Sequence, residues 1–243
     1  MTRVIGACSP QGLLVATRAV PRIRHRVSID LETVDIEVEE GHDLLKMLVV
    51  PRPIAWITTL RADGVVNLAP FACYTMLGFG PMMIGLGFAR ARGVHMKDTL
   101  RNIERSRELV IHSVTEDLLD KVVDTARQAP PGTSKARETG LTLVPSTSIA
   151  VPRIVECAAS LECRCEDITR IGTGHDLVTA RVVAVHLDER CFPNGHPDYS
   201  QFRPLGRLHD EYFATLGDII YRPRSAGPYR ETESSAAGRD IPA

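Results

Sequence analysis

Residues 49–71 read VVPRPIAWITTLRADGVVNLAPF, and the rest of the chain is read outward from this stretch. Two hydrophobic runs flank Asp63-Gly64. The first holds Ile54, Trp56 and Ile57 beside Thr58 and Thr59, and the second holds Val65, Val66 and Leu68. β-Branched and aromatic residues on both sides of Asp-Gly predict a β-hairpin, because glycine tolerates the positive φ that such turns demand. Pro51 and Pro53 fix φ and lack an N–H, so the chain should enter the hairpin as an extended edge segment.

Polar groups punctuate this hairpin where a purely structural one would be plainer. Arg52 sits at its mouth, Thr58 and Thr59 end the first strand, and Asn67 interrupts the second. An Asn side chain offers donors and acceptors together, and a Thr hydroxyl one of each kind. Such groups can grip the rim of a flat heterocycle. The plainer reading is that the threonines suit a strand and Asn67 caps a turn.

The chain has 243 residues, enough for one larger domain or two small ones with a sizeable core. A formal net charge of −1 gives no overall field favouring nucleic acid or an anionic membrane. No run approaches the ~20 apolar residues that span a bilayer. The six cysteines form no C-x-x-C, and Leu161, Cys163 and Cys165 alternate with Glu162, Arg164 and Glu166 as on a half-buried strand. Free thiols packed as small hydrophobes, no metal site and a cytoplasmic location are therefore expected. Residues 1–26 carry five arginines and no acid, a composition that suits a transit peptide and a flexible extension equally well. From residue 221 to 243 no periodicity remains, and a flexible tail is expected.

Between these ends the pattern alternates short strands with a few helices. An edge strand is expected over 28–38, then a helix over 41–48 with Leu44, Leu45 and Leu48 on one face. Residues 72–81 read as a loop and 82–88 as a strand whose Gly85 and Gly87 mark close approach of a backbone or ligand. Helices are expected over 97–107 and 116–127, the second capped by Thr115, with a short one near 134–139. Strands are expected over 109–114 and 141–144. A hairpin should join 160–168 to 177–187 across Gly172 to Gly174. His186 falls in the phase of the apolar residues of its strand and reads as a partly buried structural histidine. The class is antiparallel β with flanking helices.

The strongest site signal lies before the helix at 97. Arg90, Arg92 and Lys97 bring charge to a helix start, where free N–H groups and the dipole favour an anion, and Thr99 adds a hydroxyl. A solvated basic loop, with Asp98 capping the helix, is the competing reading.

The series PRPIAWITT, DG, NLAPF, KDT and NI (residues 51–59, 63–64, 67–71, 97–99 and 102–103) resembles the flavin reductase-like family of FMN-binding split barrels. The likeness runs from about residue 28 to 213, which implies a domain over 27–220. It implies a mainly β fold, a Greek-key split β-barrel with flanking helices, and a homodimer. The implied cofactor is FMN, with NADH or NADPH as electron donor and a small-molecule acceptor or partner monooxygenase downstream. Carried over by motif, the cofactor-binding residues are Arg52, Pro53, Trp56, Thr58, Thr59, Asn67, Leu68, Ala69, Ala72, Arg92, Lys97, Asp98 and Thr99. Lys97 and Thr99 would hold the phosphate, and the backbone at Asn67, Leu68 and Ala69 the ribityl chain and ring edge. Ala72 stands where relatives commonly have serine. Arg207 lies in a segment that resembles the family near its C-terminus, lining the nicotinamide side or closing the barrel. Hydride transfer needs no protein nucleophile, and no catalytic triad or carboxylate pair is found. Two other readings are an FMN enzyme for one metabolite, with Tyr74, Phe79 or His209 over the ring, and a non-catalytic electron carrier.

Overall fold

The hairpin forms as its sequence dictates. In the computed structural model, which describes Glu32 and residues 36–90, 96–127 and 133–220, β2 (Ala55–Leu60) pairs antiparallel with β3 (Val66–Phe71). Gly64 takes the turn with φ of 79°, closed by bonds from Gly64 N–H to Arg61 O and from Arg61 N–H to Val65 O. A two-residue strand, β1 (Arg52–Pro53), precedes it. The strand expected over 28–38 falls almost wholly outside the described residues, as do the segments 1–26 and 221–243.

Contacts divide the chain into residues 1–41 and 42–243. Helix α1 (Val38–Leu48) ends in the second unit, and Leu45 and Leu48, placed on one face by their spacing, are 61% and 74% exposed. The second unit continues with β4 (Tyr74–Phe79), β5 (Met82–Ala89), α2 (Asp98–Ser106), β6 (Glu108–His112), α3 (Leu119–Ala126), α4 (Lys135–Glu138), β7 (Leu143–Val144), β8 (Arg153–Ile154), β9 (Ala159–Ile171), β10 (His175–Leu187), β11 (Gly206–Arg207) and β12 (Phe213–Ala214). The supposed loop at 72–81 is thus largely strand β4. Gly87, with no Cβ, lets the Cys73 Cβ approach to 2.9 Å of where one would stand, and Leu77 covers Gly85. The close approach marked by these glycines is to β4, with Gly87 N–H donating to Cys73 O.

Seven strands make one antiparallel sheet in the order β3-β2-β6-β9-β10-β5-β4, while β1, β11 and β12 form a small second sheet. The large sheet is bent into a split barrel. Ala55 and Ile57 of β2 join Leu86, Phe88, Leu109, Ile111, Cys163 and Val178 inside, where Leu100 and Ile103 of α2 complete the core. On the other face, Ile54, Trp56 and Leu68 pack with Leu118, Val122, Ala136 and Ile154 under α3 and α4. Strand β2 is buried on both faces, which is why its sequence shows no alternation of apolar and polar residues.

Two local expectations change. Thr115 makes no side-chain cap bond, and a 3-10 turn (Glu116–Leu118) opens that helix instead. Glu162, expected to point to solvent, is fully buried. Its carboxylate accepts from Thr147 N–H, Thr147 hydroxyl and Ser148 N–H, and meets His186 Nε2 at 2.6 Å. His186 is structural as expected, though its partner is an acid and not an apolar core.

Candidate functional site

Strand β3 is an edge of the large sheet, so its outer main-chain groups are not taken up by another strand. Pro70 fits there because an edge needs no second ladder bond. Asn67 stands opposite Thr59 of β2 and donates from Nδ2 to Thr99 Oγ1 at 2.8 Å. Asn102 Nδ2 donates to Thr59 Oγ1 at 3.0 Å. Thr59, Thr99 and Asn102 are buried, and these bonds fix the start of α2 against β3.

The first turn of α2 lacks a cap. Lys97 occupies the N-cap position with extended backbone and no side-chain cap bond. Asp98, the capping candidate, instead pairs with Arg101 at 2.8 Å. Lys97 is exposed and makes no ion pair among the described residues. Free N–H groups, a lysine and a threonine hydroxyl therefore meet at one helix mouth. Arg92 lies outside the described residues. Arg90 does not contribute: its guanidinium grips Asp176 through two bonds, of 2.6 and 2.9 Å. That bond, and then the guanidinium charge, hold the Asp176 carboxyl below its ordinary range despite burial.

Three expected contacts, those of Trp56, Thr58 and Arg52, are turned elsewhere. Trp56 is fully buried, and its Nε1–H donates to Thr125 Oγ1 at 2.8 Å, anchoring α3. Thr58 is equally buried, its hydroxyl donating to Pro152 O. The Leu68 side chain packs in the outer core beside Trp56, while the contact expected of Leu68 is that of its main chain. Arg52 donates to the carbonyls of Lys46, Val49 and Leu208, clasping the end of α1 to the segment before β12. Strand alternation explains these directions on β2 and β3: Trp56, Thr58 and Leu68 face α3 and α4, whereas Thr59 and Asn67 face α2. Pro53 is exposed and pairs with Gly206.

At the other end of β3 lies a cleft of ≈ 200 Å³, walled by Ile54, Pro70, Phe71, Ala72, Val122, Val123, Ala126 and Phe213, with Arg207 its one charged wall. Arg207 also borders an open groove with Lys46, Arg52, Asp210, Glu211 and Tyr212. Of the aromatic candidates, Tyr74 packs against the barrel interior, where burial pushes its hydroxyl up to about 12. Phe79 is 85% exposed at the far end of β4. His209 faces Asp210 at 3.0 Å. None of the three walls the cleft.

Residues 47–212 match the flavin reductase like domain. An uncharacterized protein of Bacillus subtilis is 33% identical over 197 residues, spanning 77% of this chain and 96% of that relative. The chain belongs to the flavin reductase-like domain family.

Solved structures agree with that membership. This flavin reductase-like chain superposes on nitrilotriacetate monooxygenase component B from Bacillus cereus with a TM-score of 0.78 at 27% identity, covering 82% of this chain and 100% of the other. The 2-nitrobenzoate 2-nitroreductase of Pseudomonas fluorescens follows at 0.72 and 26%, with the same coverage. A split-barrel-domain protein of Shewanella frigidimarina, at 18% identity and a TM-score of 0.66 over 78% of this chain and 94% of that one, shares the fold.

Two residues of this flavin reductase-like domain escaped the sequence reading. Lys135 is buried, with Nζ donating to Thr125 O at 2.5 Å at the end of α3. Burial lowers its pKa, Arg127 and Lys97 adding to the effect and Asp98 opposing it. Its Nζ also reaches Arg127 O, so it holds the end of α3. His112 is sealed in the interior: its Nδ1–H donates to Trp56 O at 2.8 Å, and Nε2 accepts from Ile154 N–H at 2.9 Å. That pair of bonds requires neutral imidazole. Lys135 carried a signal only as a lysine in a four-residue helix. His112 gave none beyond its place in an apolar strand.

Proposed function

We propose that this chain is an FMN-dependent oxidoreductase of the flavin reductase type, taking hydride from NADH or NADPH and delivering it to an acceptor. The observation that carries the reading is the uncapped start of α2, joined through the Asn67–Thr99 bond to the open edge of β3. The donor set fits the cofactor. Lys97, Thr99 and the first N–H groups of α2 suit a phosphate. From Asn67 to Phe71, β3 presents roughly 14 Å of unpaired edge at about 3.4 Å per residue, enough to follow a ribityl chain and reach a ring. Only alternate residues of an edge strand turn their main-chain groups outward: Asn67 and Ala69 pair with β2, so Leu68 N–H would be the fixed donor there, and Ala72 offers only its backbone where a serine hydroxyl would add a bond. Asp98 serves the helix through Arg101, and Pro53 and Arg52 shape the entrance to the hairpin.

FMN bound at this edge would supply two-electron chemistry. The protein's part is to bind, orient and exclude water, so the preorganised amides of β3 and the cleft beside them carry the catalytic effect.

The partner is a second copy of this chain, in the cytoplasm. Met76, Leu77, Phe79 and Met82 are 72%, 50%, 85% and 49% exposed at one end of the β4–β5 pair, an apolar surface that needs cover. A monooxygenase that consumes the reduced flavin is one class of acceptor, a small molecule the other. The first is supported by the likeness to a monooxygenase component B. Among the described residues no helix is long and apolar enough to cross a membrane. Anaerobic stopped-flow reduction of the FMN-loaded protein by NADH and NADPH in parallel tests the reading. Rapid bleaching of flavin absorbance by either nucleotide is expected, and bound flavin inert to both would leave an electron carrier.

A further inference from the structure

We propose that the cleft beside Phe71 and Ala72 binds a small planar aryl anion, a single aromatic ring bearing a carboxylate, with Arg207 as its counter-charge. As the identity of an electron acceptor this rests on the FMN reading; as a binding site it does not.

Size argues first. A cleft of ≈ 200 Å³ exceeds the roughly 150 Å³ apolar cavity that accepts benzene, leaving space for one ring and a small substituent. It falls short of the roughly 300–1,000 Å³ typical of larger ligands, so a whole dinucleotide does not fit. The walls are chemically suited to a ring, being the apolar faces of Ile54, Pro70, Val122 and Phe213.

Charge argues second. Arg207 is the one ionised group on the wall, and no carboxylate lies within ion-pairing distance of it among the described residues. Its guanidinium carbon sits 4.4 Å from the centroid of Phe213, and its Nη2 donates to Asp210 O. Those contacts fix the plane of the fork, and among the described residues Nε and Nη1 have no hydrogen-bond partner. Burial lowers its pKa, and the nearby charge of Arg52 adds to this, with Glu211 and Asp210 opposing. An anion would relieve that cost. Arg52 cannot substitute, since its donors serve three carbonyls. A carboxylate matches the planar fork in a way a neutral carboxamide does not.

The position argues third. The cleft adjoins Phe71 and Ala72, at the opposite end of β3 from Asn67 and Thr99. A ring held there would lie where the proposed flavin ring ends, not where its phosphate is held.

The test is ligand-observed NMR titration of the full chain, with and without FMN, using benzoate, benzamide and inorganic phosphate. Benzoate should bind about 10-fold or more tighter than benzamide, the ratio that one charge-assisted interaction supplies. Arg207→Gln should bring the two ligands level, and Arg207→Lys should keep part of the difference. Val123→Trp, at a half-exposed wall residue whose replacement spares the core, should remove binding of both. Equal binding of benzoate and benzamide, or a preference that survives Arg207→Gln, overturns the proposal. Displacement of benzoate by phosphate at equal concentration also overturns it, because the arginine then reads a phosphate and not an aryl acid. Failure of FMN to bind, with benzoate discrimination intact, would remove the flavin reading and leave this site standing.

Discussion

Asn67 and Thr99, 32 residues apart in sequence, meet through a 2.8 Å bond from the amide Nδ2 to the hydroxyl, tying the edge strand β3 to the first turn of α2. One side chain thereby couples the strand proposed to follow the flavin to the helix mouth proposed to hold its phosphate. Asn67→Ala should cost about 1 kcal/mol of stability, the usual worth of one bond to a buried group. Asn67→Asp can still accept from the Thr99 hydroxyl, so it should fold, but its charge would face the phosphate. FMN affinity measured by fluorescence quenching should therefore fall further in Asn67→Asp than in Asn67→Ala. Similar affinities for the two variants would argue against an anion at this mouth.

Trp56 shows the opposite case, a residue of the most recognisable motif that serves only the core. Trp56→Phe keeps the ring and loses the bond to Thr125 Oγ1. Urea unfolding should show a loss of about 1–2 kcal/mol, while the FMN dissociation constant stays within error of the parent.

Acid should weaken the fold in two successive windows. Burial, opposed by its bond to Trp56 O and reinforced by Arg153, depresses the pKa of His112 to about 4. The fold thus favours the neutral ring. Stability from this group is fully present above the unfolded value of 6.5 and is lost as pH falls towards 4, by about 3 kcal/mol in all. For Glu162, burial works against the charge. Bonds from Thr147 N–H, His186, Ser148 N–H and the Thr147 hydroxyl outweigh it and hold the carboxyl at about 2. Its contribution is present above the unfolded value of 4.5 and is lost as pH falls towards 2. Chemical denaturation at pH 7.0, 5.0 and 3.0 (values of roughly this spacing suffice) should show stability falling in both intervals. Glu162→Gln should shrink the fall in the lower interval, where His112 and Asp176 still contribute, and leave that in the upper interval unchanged.

The apolar end of the β4–β5 pair predicts an assembly. Phe79→Glu changes a side chain that is 85% exposed and so leaves the protomer's core intact. Sedimentation should find the parent as a dimer and Phe79→Glu shifted towards monomer. A parent that sediments as a monomer would remove the second copy from the account.

The sequence made the hairpin around Asp63-Gly64 readable because turn chemistry is local, and α2 readable because Leu100 and Ile103 recur at helical spacing. The face each side chain takes was harder to read. In a strand buried on both sides, Trp56 and Thr58 cannot be told from Ala55 and Thr59 by hydrophobicity, since neither face touches water. Glu162 defeated the alternation rule because its bonds come from Thr147 and Ser148, a loop whose return to β9 no local pattern encodes. Arg207 and Phe213 meet across a two-residue strand pair, too short for periodicity to register. The phosphate mouth was legible from charge and helix start, but Arg90 was not separable from Lys97 until Asp176 was seen to occupy it.

The central claim is that the open edge of β3 and the mouth of α2 hold FMN. Fluorescence titration of FMN with the parent chain and with Lys97→Ala/Thr99→Ala tests it directly. Saturable quenching by the parent, weakened about 10- to 100-fold in the double variant, is predicted from the loss of charge-assisted bonds to phosphate. No quenching by the folded parent, or an unchanged dissociation constant in a folded double variant, would contradict it.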